Sequence, residues 1–202
     1  TMIAAYPMAR KDLPLRSFFS VLFAFTMLFG GGMIPNYILI MKLGMLNTRW
    51  ALLLPGALSV YNMIIARTAM QSLPDELLEA AYIDGCSDAR YFVRIVLPLS
   101  GATIAVLALY YAVGHWNSYF SAFMYLSDRS KYPLQIVLRE ILIMGQIAES
   151  DITDLDSAER IQGLSQLLKY ALIVISSAPM MLIYPFVQKY FVKGVMIGSL
   201  KG

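Results

Sequence analysis

Charge is what this chain has least of. Asp, Glu, Lys and Arg make up 14% of its 202 residues, where an average soluble domain carries about 25%. That excludes a disordered chain, which needs a polar, charge-rich sequence. The single cysteine, Cys86, and the single histidine, His115, leave no material for an internal disulfide, a cysteine-ligated zinc site or a multi-histidine metal centre. No G-x-x-x-x-G-K-[ST], H-E-x-x-H or G-x-S-x-G pattern occurs, which removes familiar routes to ATP binding, zinc hydrolysis and serine hydrolysis. The net charge of +3 comes from scattered basic residues, which is no footprint for nucleic acid.

What is abundant is apolar surface: 58% of residues are hydrophobic and the mean hydropathy is +0.63. Residues 17–41, 50–66, 95–127 and 170–188 contain no Asp, Glu, Lys or Arg. A helix crosses a bilayer core with about 20 apolar residues. The pattern therefore predicts an all-α integral membrane domain with four complete spans, at 17–41, 48–68, 97–126 and 165–187. The first nine residues are apolar but too short to cross, and read as the tail of a helix that starts upstream. No charged residue lies deep in any span, and intramembrane ionisable groups are what proton relays and ion paths require. That argues against a secondary carrier working alone.

Orientation follows from basic residues in the connections. Arg10, Lys11, Arg16, Arg67, Arg90, Arg94, Lys189, Lys193 and Lys201 fall on one side. Lys42, Arg49, Arg129, Lys131, Arg139 and Arg160 fall on the other. The larger set places the 68–96 connection and the C-terminus in the cytoplasm and the acidic 128–160 connection outside. Within that connection, Asp151, Asp154 and Asp156 lack the glycine and closing glutamate of a calcium loop and read as a solvated loop. Gly30-Gly31-Gly32, Pro55-Gly56 and Pro179 read as kinks or close helix contacts inside the spans.

The 68–96 connection is the most informative segment. Ser72 and Pro74 resemble a helix start, with Asp75 and Glu76 at the positive end of its dipole. Leu77, Leu78 and Ala81 recur at helical spacing, and Gly85 supplies a left-handed stop. A second short helix is predicted from Ser87 to Val96, with Pro98 opening the next span. Within this helix–turn–helix stand Glu79-Ala80-Ala81, then Gly85, then Ile95-Val96-Leu97-Pro98. That is E-A-A-x-x-x-G-x₉-I-x-L-P with both spacings kept.

By this signature the chain resembles the permease subunits of bacterial ABC importers. It is similar to their carbohydrate-uptake branch, with the smaller maltose-transporter permease and oligosaccharide and aldouronate permeases as its nearest types. The stretches 75–85, 111–118 (Tyr-Ala-Val-Gly-His-Trp-Asn-Ser) and 184–194 carry that resemblance. It implies a type I importer bundle, usually of six spans, in the bacterial cytoplasmic membrane. The first span and most of the second are then expected upstream of this sequence. It further implies cytoplasmic ATPase subunits that hydrolyse ATP, a second permease subunit, an extracytoplasmic solute-binding protein and a sugar substrate, with no cofactor held by this chain. Glu79, Ala80, Ala81, Asp84 and Gly85 are then the ATPase-docking residues.

A polar and aromatic cluster stands out in the third span. Tyr111, His115 and Tyr119 are spaced to share one helical face, with Asn117 beside them. Rings and amides match the flat faces and hydroxyl rims of sugars, so these four are candidates for the substrate path. An aromatic belt with interhelical hydrogen bonds accounts for the same residues. The alternatives to a sugar permease are an ABC permease for another solute, a secondary carrier, and a membrane enzyme using His115. The last lacks a carboxylate partner in that span.

Overall fold

The computed structural model describes residues 1–150 and 155–199, with side chains for 1–144, 163–185 and 188. The described residues form helices and turns, with no strand among them. They divide into two compact units, each described by itself. The first holds Thr1–Leu39, Leu53–Tyr111 and the residues from Val187 on; the second holds Ile40–Leu52 and Ala112–Phe186.

The first unit begins with α1 (Met2–Ala9), which packs along α5 (Val60–Gln71). Ala5 is fully buried there, in one core with Met63, Ala66 and Met70. Two small alanines allow the helices to approach closely. Between α1 and α5 come α2 (Arg16–Leu28), α3 (Met33–Lys42) and the single-turn α4 (Trp50–Leu53). Helix α5 starts at Ser59, whose side chain accepts a hydrogen bond from the Asn62 amide. That is an N-cap of the usual kind.

After α5 come α6 (Asp75–Ile83) and α7 (Asp88–Tyr91), then a π-helical turn over Phe92–Val96, the short α8 (Leu97–Leu99) and α9 (Gly101–Trp116). The wide turn has a local cause. Pro98 has no N–H to offer, and its ring crowds the carbonyl four residues back. The Leu97 amide accordingly bonds to the Phe92 carbonyl, five residues back. Helices 88–99 and 101–116 then meet at 80°. Pro98 thus ends one helical stretch rather than opening the next span, which starts at Gly101.

The second unit holds α10 (Tyr119–Tyr125), a 3₁₀ turn at Arg129–Lys131, α11 (Leu134–Ser150) and most of α12 (Leu155–Ser199). Within the 128–160 connection, residues 129–131, 134–150 and 155–160 are helical. Of the acidic run, Asp151 and Asp154 and the side chain of Asp156 lie outside the described residues. Asn47, in the left-handed conformation at φ 57, organises this unit's turns. Its side-chain oxygen accepts from the amides of Ser127 and Asp128 at 3.2 and 3.0 Å. Its carbonyl accepts from Lys131 Nζ at 2.8 Å, and its amide donates to the Tyr125 carbonyl.

The spans differ from the four expected. Among the described residues, Gly163–Pro185 within α12 is long and apolar enough to cross a membrane alone. Two bent pairs qualify if each counts as one span, giving up to three. One pair is α2 with α3, at 106° across the glycine triplet. Gly32 there has φ +86, and among the described residues no atom beyond the chain neighbours lies within 4 Å of a Cβ built on Gly30 or Gly31. Of the two readings, the kink is the one seen at the triplet among the described residues. The segment 48–68 is divided between α4 and α5 by Pro55-Gly56, so it is no single long helix. The 97–126 segment is interrupted at Ser100 and again between Trp116 and Tyr119. A run without charge shows which residues tolerate lipid; it does not show that one helix runs through them.

Candidate functional site

The E-A-A segment is α6 and the turn that ends it. Pro74 precedes the helix without a side-chain cap, and Ser72 instead closes α5, its hydroxyl donating to the Ala69 carbonyl at 2.7 Å. The expected Ser72 cap is not made, because α5 extends to Gln71 and claims it. Asp75 and Glu76 do occupy the first turn of α6. At the other end the Cys86 amide donates to the Ala81 carbonyl and the Gly85 amide to the Tyr82 carbonyl. Those two bonds and the φ of +69 at Gly85 form a Schellman stop. The left-handed glycine expected from sequence is there.

The proposed docking residues separate by exposure. Glu79, Ala80, Asp84 and Gly85 face solvent, and Ile83 is 87% exposed beside them. Ala81 differs: it is 5% exposed and belongs to the core with Met70, Tyr91 and Val96. Its small size serves packing beneath the helix, not approach from outside. Burial in that core raises the Tyr91 pKa.

Residues ahead of α2 hold this loop from below. Arg10, its side chain 14% exposed, donates to Asp88 at 2.6 Å and to Asp12 at 2.5 and 2.7 Å. Its guanidinium also lies 5.7 Å from the centre of the Tyr82 ring, and the Tyr82 hydroxyl donates to Asp88 at 2.8 Å. The Asp12 carboxylate raises the Arg10 pKa, and Arg10 in return holds the Asp12 carboxyl below its ordinary range. Lys11 pairs with Asp75 at the start of α6, at 2.5 Å. A cavity of about 410 Å³ lies among these residues, bounded by Arg16, Leu78 and Tyr91 as well. Sequence reasoning missed Arg10 and Lys11 as partners of the loop. Their acids lie 78 and 64 positions away, and no local pattern marks such pairs.

The four substrate-path candidates fall into separate settings. The Tyr111 hydroxyl, in the first unit, shares a 2.5 Å hydrogen bond with Thr1 Oγ1 and accepts from the Ser59 amide at 3.0 Å. It borders a cavity of about 400 Å³ with Thr1, Ile104 and Ala108, lined mostly by apolar groups. The other three are in the second unit. His115 is half-buried near the end of α9, and Asn117 is exposed in the break that follows. Tyr119 begins α10, stacked on Phe123, with the Arg139 guanidinium 4.2 Å from its ring centre. Tyr119 therefore does not continue the face of Tyr111 and His115, since a shared face needs one unbroken helix. Neighbouring Trp116 donates its indole N–H to the Ser176 carbonyl at 2.9 Å, an interhelical bond of the structural kind.

Comparison with known proteins decides what this architecture is. A family model described as "binding-protein-dependent transport system inner membrane component" matches residues 1–197. The chain belongs to that family. This transport family's fold is also seen in a solved bacterial ABC transporter involved in the import of the acidic polysaccharide alginate. That structure matches with a TM-score of 0.79 and 30% identity, over 94% of this chain and 67% of the other. A polygalacturonan/rhamnogalacturonan transport system permease of Bacillus subtilis (strain 168) is 44% identical over 99% of this chain and 69% of its own length. Protein LplC of the same organism is 46% identical over 100% and 68%. As a member of the family the chain is a membrane transport component, not an enzyme, and its helices form an ABC importer permease bundle. That assignment gives a reason for the outward apolar residues of α2 and α12, such as Val21 and Leu182, about 70% exposed. In a bilayer such side chains meet lipid or a partner helix at little cost.

Proposed function

We propose that this chain moves a sugar or oligosaccharide inward across the bacterial cytoplasmic membrane as one permease of an ATP-driven importer. A cytoplasmic ATPase docks on the E-A-A turn and hydrolyses the ATP, a second permease completes the bundle, and an extracytoplasmic binding protein delivers the solute. The chain itself holds no cofactor. The observation that carries this reading is the shape of the turn. Glu79, Ala80, Asp84 and Gly85 stand exposed around a left-handed glycine, while Ala81 anchors the same helix in the core. A knob that is rigid beneath and bare above suits a partner's cleft. Its exposed carboxylates suit partner Arg or Lys, and Ile83 adds apolar contact.

The sugar class rests on the substrates named for the similar proteins, polygalacturonan with rhamnogalacturonan and alginate. His115, Asn117 and Tyr119 are the substrate-path residues in this reading. Tyr111, whose hydroxyl is already bonded, shapes the path. The test is uptake into proteoliposomes of a labelled galacturonate oligosaccharide presented by its binding protein. Uptake that requires both the ATPase subunit and ATP is expected. Uptake driven by an ion gradient without the ATPase would establish a secondary carrier instead.

A further inference from the structure

Helix α1 touches both the E-A-A loop and the bordering wall of the Tyr111 cavity, through residues on either side of Ala5. At its C-terminal end Arg10 reaches Asp88 at 2.6 Å and covers the Tyr82 ring. One turn earlier, the Tyr6 ring lies 4.9 Å from Phe92 and 6.4 Å from Tyr91, centre to centre. Tyr6 and Arg10 are four positions apart, so one face of this helix addresses the arm that follows the E-A-A turn. On the other side of Ala5, Thr1 Oγ1 bonds the Tyr111 hydroxyl at 2.5 Å, and Tyr111 also takes the Ser59 amide that precedes α5. Between Thr1 and Arg10, Ala5 is fully buried against α5. A helical segment held at Thr1, Ala5, Tyr6 and Arg10 transmits displacement rather than absorbing it, because packed interiors are dense and yield little.

We infer that α1 is a rigid link between the coupling loop and Tyr111, with Arg10 as the positioning residue that clamps it to the loop. The inference rests on reading the E-A-A turn as the ATPase-docking element. When the docked loop moves, Asp88 and Tyr82 carry Arg10 with them. The motion then reaches Thr1, and through it the tyrosine at the cavity. A guanidinium suits the clamp better than an ammonium. Its planar fork serves Asp12 and Asp88 together while its face covers Tyr82.

The experiment uses the complete transporter complex in proteoliposomes. Cys86 is replaced by serine and Ala108, exposed at the Tyr111 cavity, by cysteine as a reporter. The rate of maleimide labelling at that cysteine is measured with and without ATP plus vanadate, and ATPase co-purification is measured in parallel. In the parent complex, ATP should change the labelling rate about tenfold, within the usual range of coupling between sites. Arg10→Met, Asp88→Asn and Thr1→Val should each abolish that change while the ATPase still co-purifies. The double variant Arg10→Met/Asp88→Asn should be no worse than either single one, since both act through one contact. An intact ATP response in Arg10→Met or in Thr1→Val, with ATPase bound, overturns the link. Loss of ATPase binding in Arg10→Met also overturns it, because Arg10 would then shape the docking surface. The docking reading fails separately, if ATPase binding survives Gly85→Asp.

Discussion

Replacing Gly85 by alanine, asparagine and aspartate in turn separates backbone strain from charge at the E-A-A turn. The residue sits at φ +69, and among the described residues a Cβ built there meets no atom beyond its chain neighbours within 4 Å. Alanine therefore brings no clash, only the left-handed penalty of about 1–2 kcal/mol. Asparagine suffers less, because its short amide bonds locally and tolerates that conformation. Neither change removes the two amide bonds that stop α6, since both use backbone atoms. Aspartate has the shape of asparagine but adds a charge next to Asp84, with Glu79 on the same exposed helix end. If the ATPase cleft closes over this turn, that charge is buried without a partner. Removing one member of a buried pair costs about 3–5 kcal/mol for the same reason, so docking should weaken by at least about a hundredfold at 1.4 kcal/mol per tenfold. The assay is titration of purified ATPase against each permease variant in nanodiscs, with thermal unfolding as the control for folding. The expected order of affinity is glycine, asparagine, alanine and, far below, aspartate, with unfolding little changed. Equal binding by the asparagine and aspartate variants would refute the claim that position 85 is enclosed by the partner.

Three further outcomes are expected. In intact cells, an impermeant thiol reagent should label Ser150→Cys and miss the native Cys86; the opposite pattern would reverse the orientation drawn from the basic residues. His115→Ala should raise the apparent KM for sugar uptake by about tenfold, the worth of one lost polar contact, with membrane abundance unchanged. His115 is half-buried, so unaltered uptake would assign it to packing. Asn47→Ala should lower stability by about 2–4 kcal/mol, from two amides left without their acceptor and the strain of a left-handed alanine. A melting temperature within a degree of the parent's would show that water replaces the Asn47 oxygen.

The E-A-A turn was legible in the chain itself because its determinants are local. A proline-led helix start, acids in the first turn and a glycine after the last turn act within a few residues of one another, and Gly85 adopts the positive φ that this spacing requires. Membrane residence was legible too, since it depends on composition summed over long runs. Helix continuity was not. Gly30-Gly31-Gly32, Pro55-Gly56 and Pro98 each break a charge-free run, and whether such residues bend or end a helix depends on what surrounds the freed backbone groups. Side-chain direction also lay beyond the pattern. Ala80 and Ala81 are identical in sequence terms, yet one faces solvent and the other fills the core, because the rotation of α6 is set by the packing of Leu78 and Ala81 over Tyr91 and Val96. Tyr119 left the face predicted for it when the helix broke after Trp116. The pairs Arg10 with Asp88, Lys11 with Asp75 and Asn47 with the 127–128 amides were decided by tertiary structure alone. Each joins residues 64 to 81 positions apart, and only the path of the chain in space brings a charge or an amide to a partner at that separation.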